Sequence, residues 1–269
     1  MTGPDASPEA IEARRVSFGR TAAAYDAVRP PWPAETMSWL LGSPEDGRSL
    51  DVLDLGAGTG LGTRTIGSLG HRVIGLDTSA EMLRTLEEST SRLPESTRRR
   101  ISTCVAGAEA VPLPDGSLDA VTCLQAWHWF DREQAVAECA RLVRTGGRVG
   151  LAWQTWDASV PWLRELADVV GQPEMVDARA VGELGMRRAG DDVPLLSDAF
   201  DPAEGARFEL VHELTPDELV LLATSWSYVA VREDRDEVLR QVHDLGTRVA
   251  SDGRLAFGYI SVCYRFLRR

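Results

Sequence analysis

The sequence predicts an α/β fold, a doubly wound and mostly parallel sheet with helices on both faces. Three observations predict it. Short apolar runs at 51–55, 71–76, 101–105, 118–124 and 148–153 alternate with amphipathic helical stretches. The first run, Val52-Leu53-Asp54-Leu55, feeds a glycine turn, Gly56-Ala57-Gly58-Thr59-Gly60, and a helix pattern follows. Asp77 then ends the second run, 17 residues past Gly60. Strands and helices alternating at this spacing imply right-handed βαβ units, and in such sheets ligands bind beyond the carboxyl ends of the strands.

In order along the chain, residues 1–10 are small and acidic with two prolines, a composition that predicts disorder. Glu12 to Val28 reads as a helix with Phe18 and Tyr25 on one face, stopped by Arg29-Pro30-Pro31-Trp32-Pro33, because proline lacks the amide donor. Pro33 to Leu41 reads as a helix burying Met37, Leu40 and Leu41, and 42–50 as a loop. After strand 51–55 come a helix from Leu61 to Leu69 capped by Gly70, strand 71–76, and a helix opening at Asp77-Thr78-Ser79. Strands 101–105 and 118–124, a helix over Arg132–Val143 and a Thr145-Gly146-Gly147 turn lead to strand Arg148–Trp153. The rhythm then breaks. Residues 157–206 read as helical segments, Arg207–Leu214 as a strand, Thr215-Pro216-Asp217-Glu218 as a helix start, Leu219–Ser225 and Arg235–Ala250 as helices, and Phe257–Phe266 as a last strand. The expected division is an N-terminal lid (1–45), a cofactor-binding core (46–155), a helical cap insertion (156–206) and C-terminal core strands carrying an inserted helical pair (207–269).

Composition narrows the function. The formal charge of −12 disfavours a nucleic-acid groove, which needs clustered positive charge. The basic run Arg98-Arg99-Arg100 reads as a solvated helix end. All 29 basic residues are arginine, so lysine Schiff-base chemistry and P-loop lysines are excluded. Cys104, Cys123, Cys139 and Cys263 form no CxxC pair and read as small hydrophobes, with no metal site expected. With no basic-then-apolar leader pattern and no apolar run near ~18 residues, a cytoplasmic protein that does not enter a membrane is the expectation.

The glycine turn brings backbone close to a ligand, since any Cβ would intrude. Its pitch differs from a dinucleotide site. GxGxxG requires a third glycine where Leu61 stands, so the match to a pyrophosphate cradle fails. A carboxylate at Asp77 suits both hydroxyls of a ribose. The site therefore suits a nucleoside without phosphates, a description that S-adenosylmethionine meets. The plainer alternative is a tight turn with Asp77 as a helix cap, and Asp77 in register with the turn weighs against it.

Val52–Gly60, Gly75-Leu76-Asp77, the segment Ala108–Asp119 and Gln125-Ala126-Trp127-His128-Trp129-Phe130-Asp131 resemble a class I S-adenosylmethionine-dependent methyltransferase. The last stretch, with Arg29–Pro33, is similar to the branch of trans-aconitate methyltransferase-like enzymes. The resemblance covers about residues 15–155 and implies a seven-stranded Rossmann-like sheet with helical cap additions. It implies that Asp54, Gly56, Gly58 and Gly60 serve the cofactor, the three glycines against its methionine portion. Asp77 would hold the ribose, Thr78 and Met82 would flank the adenosine, and Ala108 and Glu109 would lie beside the adenine. Gln125 would lie under the methionine portion. Tyr25 and Arg29 would come from the lid, Arg29 as partner of the cofactor carboxylate. One departure is Gly107, where many relatives carry an acidic residue two before the Glu109 position. Adenine recognition here would then rest on backbone groups. The product would be S-adenosylhomocysteine and the acceptor a small molecule, methylated on a carboxylate or hydroxyl oxygen.

Methyl transfer is an in-line displacement that needs alignment and exclusion of water, with a general base optional. His128 is the candidate catalytic base, and a structural place in the aromatic cluster is its alternative. Trp127, His128, Trp153 and Trp226 are the expected acceptor pocket. Two other functions remain in view from the residues alone: a nicotinamide-dependent oxidoreductase, disfavoured by Leu61, and a non-catalytic S-adenosylmethionine-binding regulatory protein.

Overall fold

The structure is a computed structural model, and it describes residues 26, 28–42, 47–176 and 196–269. The expectations for the first 25 residues, Tyr25 among them, lie outside the described residues, as does the part of the cap at 177–195.

The elements are α1 (Ala34–Leu41), β1 (Asp51–Leu55), α2 (Leu61–Ser68), β2 (Arg72–Asp77), α3 (Ala80–Ser91), α4 (Glu95–Arg98), β3 (Ile101–Val105), β4 (Leu118–Leu124) and α5 (Arg132–Leu142). They continue with β5 (Val143–Trp156), α6 (Pro161–Val170), β6 (Glu204–Leu214), α7 (Pro216–Thr224), α8 (Ser227–Ala230), α9 (Arg235–Val249) and β7 (Leu255–Leu267). The seven strands form one sheet in the order β3-β2-β1-β4-β5-β7-β6. The first five run parallel, while β7 is antiparallel to both β5 and β6. The chain moves outward from β1 through β2 to β3, then returns to add β4 on the other side. This places the topological switch between β1 and β4, where a crevice opens at the carboxyl ends of the strands.

Strand alternation divides the core. Val52 and Ala152 face a cluster built on Met37, Leu40 and Ile66, whereas Leu53, Leu55, Leu151 and Trp153 face the cluster under α5. A third cluster joins α6, α7 and α9 to the ends of β5 and β7 through Leu163, Leu219, Val242, Trp156 and Phe257, and Val28 of the lid packs into it. The helix starts are capped from the sequence. Ser79 accepts the Met82 amide, Asp131 accepts that of Gln134, and Thr215 and Glu218 close a reciprocal capping box behind Pro216.

Several boundaries differ from expectation, among them the start of β6 at Glu204, inside the stretch 157–206 expected to be helical. The fifth strand begins at Val143, not Arg148, and the Thr145–Gly147 turn is absorbed as an irregularity in its pairing with β4, where the register jumps between Leu118 and Ala120. Gly146 has φ 79°, which lets the kink form inside a strand. The strand also runs on to Trp156, because β7 supplies a partner as far as Tyr259.

Candidate active site

A cleft of about 250 Å³ lies over the switch point, lined by the ends of β1, β2, β4 and β5, by the loop after β3 and by the lid segment 29–32. Its floor is the glycine turn. Gly56, Gly58 and Gly60 have φ of 68°, 56° and 86°, which side chains rarely tolerate. The three glycines have different neighbours. A Cβ on Gly56 would lie 2.5 Å from the Ala126 Cβ, and one on Gly60 would lie 2.3 Å from the Leu86 Cγ. A Cβ on Gly58 would meet nothing within 4 Å, so Gly58 leaves open space beside the cleft. Gly60 does not line the cleft. It serves as the left-handed N-cap of α2 and lets that helix pack on α3.

Asp77 is held from two sides. Its Oδ2 accepts the Gly58 amide at 3.0 Å and its Oδ1 accepts the Ser79 amide at 2.8 Å. Each carboxylate oxygen has two lone pairs, so one on each stays available to a ligand hydroxyl. Asp54 sits deeper, its carboxylate accepting hydrogen bonds from the Thr63 and Thr122 hydroxyls at 2.7 and 2.9 Å. Burial outweighs those two bonds and pushes its pKa up to about 6. The fit to a sulfonium nucleoside is good at these points: open space beside Gly58 and a fixed carboxylate for a diol.

Arg29, Asp54, Gly56, Gly58, Asp77, Thr78, Met82, Ala108, Glu109 and Gln125 all line the cleft. Glu109 also accepts the amide of Asp131 at 3.0 Å, tying the loop after β3 to the start of α5. Gln125 has φ 63°, unusual for a residue with a side chain. Its amide nitrogen donates to the Ala152 carbonyl and its Nε2 to the Gln154 carbonyl at 3.1 Å, which bind the end of β4 to β5.

The expected acceptor pocket is placed elsewhere. Trp127 and Trp153 are buried in the cluster under α5, and Trp226 is buried in the cap cluster with its ring 5.0 Å from that of Trp156. None of the three lines the cleft. The reason is strand alternation, which aims Trp153 to the same face as Leu151 and away from the crevice. His128 also stands off the cleft wall, its ring 4.6 Å from that of Trp129. Desolvation by its neighbours lowers its pKa to about 4, although by surface area the residue is among the exposed ones. Trp129, which the sequence places near the acceptor pocket, does line the cleft, and Trp32, Phe130 and Gln154 are among the cleft residues that sequence reasoning missed. Gln154 had a signal, a polar residue inside the apolar run Val149–Trp156.

Among the described residues the lid is held at several points. Asp26 accepts from Arg64 of α2 and from Ser89 of α3, at 2.7 and 2.9 Å. The Val28 carbonyl meets His212 Nε2 of β6 at 3.1 Å, and Arg29 Nε donates to the Ser225 hydroxyl at 3.3 Å. Asp26 and the strap 28–32 thus link the β2 side of the cleft to the cap. Among the described residues no cluster of three His, Cys, Asp or Glu side chains is placed to hold a metal ion, and no helix is long and apolar enough to cross a membrane.

Known proteins match this geometry. Residues 53–151 match the family model described as a methyltransferase domain. An uncharacterized methyltransferase of Mycobacterium tuberculosis is 36% identical over 258 residues, spanning 93% of this chain and 95% of the relative. A malonyl-[acyl-carrier protein] O-methyltransferase of Methylococcus capsulatus is 36% identical over 157 residues, 55% of this chain and 54% of the relative. In fold, the chain is similar to a solved structure assigned to a type II methyltransferase of Anaeromyxobacter dehalogenans, with a TM-score of 0.64 at 21% identity, covering 89% of this chain and 97% of that one. The near-complete match to the mycobacterial relative, on a seven-stranded sheet with this crevice, shows that the chain belongs to the class I S-adenosylmethionine-dependent methyltransferases.

Proposed function

We propose that the enzyme methylates an oxygen of a small-molecule acceptor, a carboxylate or hydroxyl, and sits near the trans-aconitate methyltransferase-like branch. The observation that carries the cofactor assignment is the Asp77 carboxylate bound to the Gly58 amide. It fixes a diol-binding group against the turn that accepts the methionine portion. In this reading S-adenosylmethionine supplies an activated methyl group when bound. Asp77 takes the ribose hydroxyls, Thr78 and Met82 flank the nucleoside, and Ala108 and Glu109 border the adenine. Gly56 and Gly58 lie against the methionine portion with Asp54 beneath, and Gly60 shapes the turn from below. Arg29 pairs the cofactor carboxylate from the lid, and Trp129 and Phe130 close the cleft against water, which sharpens electrostatics inside it. A carboxylate acceptor needs no base.

The relative named for O-methylation of a malonyl group supports an oxygen acceptor. Nothing in the cleft favours a nicotinamide nucleotide, because Leu61 occupies the third glycine position of a pyrophosphate cradle. Titration calorimetry tests the cofactor assignment. S-adenosylmethionine and S-adenosylhomocysteine should bind at micromolar levels and NAD should not, and the preference reversed would overturn it. EDTA should leave turnover unchanged.

A further inference from the structure

The sheet has a second hollow, at the end away from the cleft. The connection from β3 to β4, residues 106–117, holds no helix, whereas helices follow β1, β2 and β4. The face of β2 and β3 beside α5 is therefore partly open near the amino ends of the strands. Arg72 lies next to Asp51 in the sheet and Ser102 next to Ile74, and both Arg72 and Ser102 are exposed. A hollow of about 330 Å³ lies there, the size of a small-molecule site. It shares no lining residue with the cleft. Arg72 begins β2 and Asp77 ends it, so the strand rise of ~3.3 Å per residue puts the two about 16 Å apart.

The walls of this hollow differ in chemistry. One is basic. Arg72, Arg99 and Arg100 line it, and Asp51 is the one carboxylate among the lining residues. Arg72 Nε donates to Asp51 Oδ1 at 2.6 Å, which fixes the guanidinium and leaves its terminal nitrogens to a ligand. Arg99 Nε donates to Glu95 at 2.7 Å. Arg100 Nη1 donates to the Gly70 carbonyl at 2.8 Å, a neutral partner, and among the described residues no carboxylate pairs with Arg100. Its positive charge is thus left uncompensated in a chain of formal charge −12. The other wall is apolar, built from Ile74, Leu113, Pro114 and Leu118. A cation would meet like charge here, and a neutral ligand would leave Arg100 without a counter-charge. Guanidinium groups held in place match the oxygens of a phosphate or carboxylate.

We propose that this hollow is a second ligand site that takes a small organic anion, its phosphate or carboxylate head at Arg72 and Arg100 and its apolar body against Ile74 and Leu118. The site goes beyond methyl transfer and does not depend on it. It also gives a role to two arginines of the basic run 98–100, which methyl transfer leaves unused.

Calorimetry in phosphate-free buffer at low ionic strength tests the site, with phenyl phosphate, benzoate, inorganic phosphate and benzyl alcohol as probes. At least one of phenyl phosphate and benzoate should bind with a Kd below roughly 1 mM, and the tighter of the two names the head group. Inorganic phosphate should bind roughly tenfold more weakly than that probe, because it has no apolar body, and benzyl alcohol should not bind. Arg72→Gln combined with Arg100→Gln should weaken the better probe roughly tenfold or more. Ser102→Glu should do the same by placing a carboxylate in the hollow, and it removes none of the arginines. Arg248→Gln, at a surface arginine paired with Glu165 between α9 and α6, should leave the probe's affinity unchanged. Urea unfolding midpoints check that each variant folds, and Ser102→Glu decides the matter if the arginine variant does not. Neither organic anion binding below roughly 10 mM, or benzyl alcohol or inorganic phosphate binding as tightly as the better of them, would overturn the proposal. So would parental affinity in either folded variant, or an equal loss in Arg248→Gln. Displacement of the probe by S-adenosylhomocysteine would also overturn it, because the probe would then lie in the cleft.

Discussion

The two ends of the cleft are built in different ways. At the β1–β2 end, the glycine turn and its two acids come from a short stretch of chain. Asp54, Gly56, Gly58 and Asp77 lie within 24 residues, and the backbone amides of Gly58 and Ser79 orient the Asp77 carboxylate. At the β4–β5 end the groups meet from far apart in sequence. Gln125 binds the Gln154 carbonyl across 29 residues, Val28 reaches His212 across 184, and Arg29 reaches Ser225 across 196. The first end is centred on one strand pair, joined by Thr122 of β4 on Asp54 and by Ala108 and Glu109 after β3. The second forms only when lid, sheet and cap have all docked.

The largest expected effect breaks the local end. Gly60→Ala combines a positive φ with a Cβ against the fully buried Leu86, and should destabilise the fold by about 3 kcal/mol in urea unfolding. A loss of under ~0.5 kcal/mol would mean that the turn adapts and is less fixed than its geometry implies. Asp54 should give a pH signature of similar size. Its folded pKa of about 6 lies above the ordinary 3.8, so the folded protein holds a proton that the unfolded chain releases. The associated stability is full below about pH 3.8 and is lost as pH rises through about 6, a span worth about 3 kcal/mol. Asp54→Asn should remove that slope, read from unfolding midpoints between pH 4 and 7. An unchanged slope would place the titrating group elsewhere.

Asp77→Ala comes next. Losing a charge-assisted contact should weaken S-adenosylhomocysteine binding by about 1.5–3 kcal/mol in calorimetry. Undiminished affinity would break the ribose assignment and, with it, the contrast between the ends.

That contrast also explains what the sequence could reveal. The sheet was legible because each parallel strand is an apolar run bounded by a turn, and the glycine turn and Asp77 were legible because their chemistry depends on spacing alone. The acceptor side was not. Trp127, Trp153 and Trp226 were placed in the pocket from their nearness to strand ends, but side-chain direction alternates along a strand and sends Trp153 into the core beside Leu151. The Arg29–Ser225 and Val28–His212 contacts leave no periodicity or spacing to read, since each depends on where the cap docks. Gln154 could have been noticed as a polar residue in an apolar run. Which face it takes still follows from the pairing of β5 with β4 and β7.

A smaller effect sharpens the role of the lid. Asp26 ties the strap to α2 and α3 through Arg64 and Ser89, and both ion-pair side chains are only 16% exposed. Asp26→Ala should cost about 1 kcal/mol, seen as a roughly fivefold faster release of S-adenosylhomocysteine in stopped-flow displacement. An unchanged release rate would mean that the strap does not gate the cofactor.

The smallest expected effect is at His128. It stands off the cleft wall, and its pKa near 4 makes it neutral but weakly basic at physiological pH. A base that takes a proton from a hydroxyl works best with a pKa near the working pH, and a carboxylate acceptor has no proton to give. His128→Asn should therefore leave kcat unchanged with saturating acceptor, and the pH profile of kcat/KM between 5 and 8 should keep its shape. A fall of a hundredfold or more, confined to hydroxyl acceptors, would show that the acceptor end carries a catalytic group from the Gln125–Asp131 segment after all. The acceptor end would then share with the cofactor end a reactive residue supplied by a local stretch, and distance along the chain would no longer separate the two.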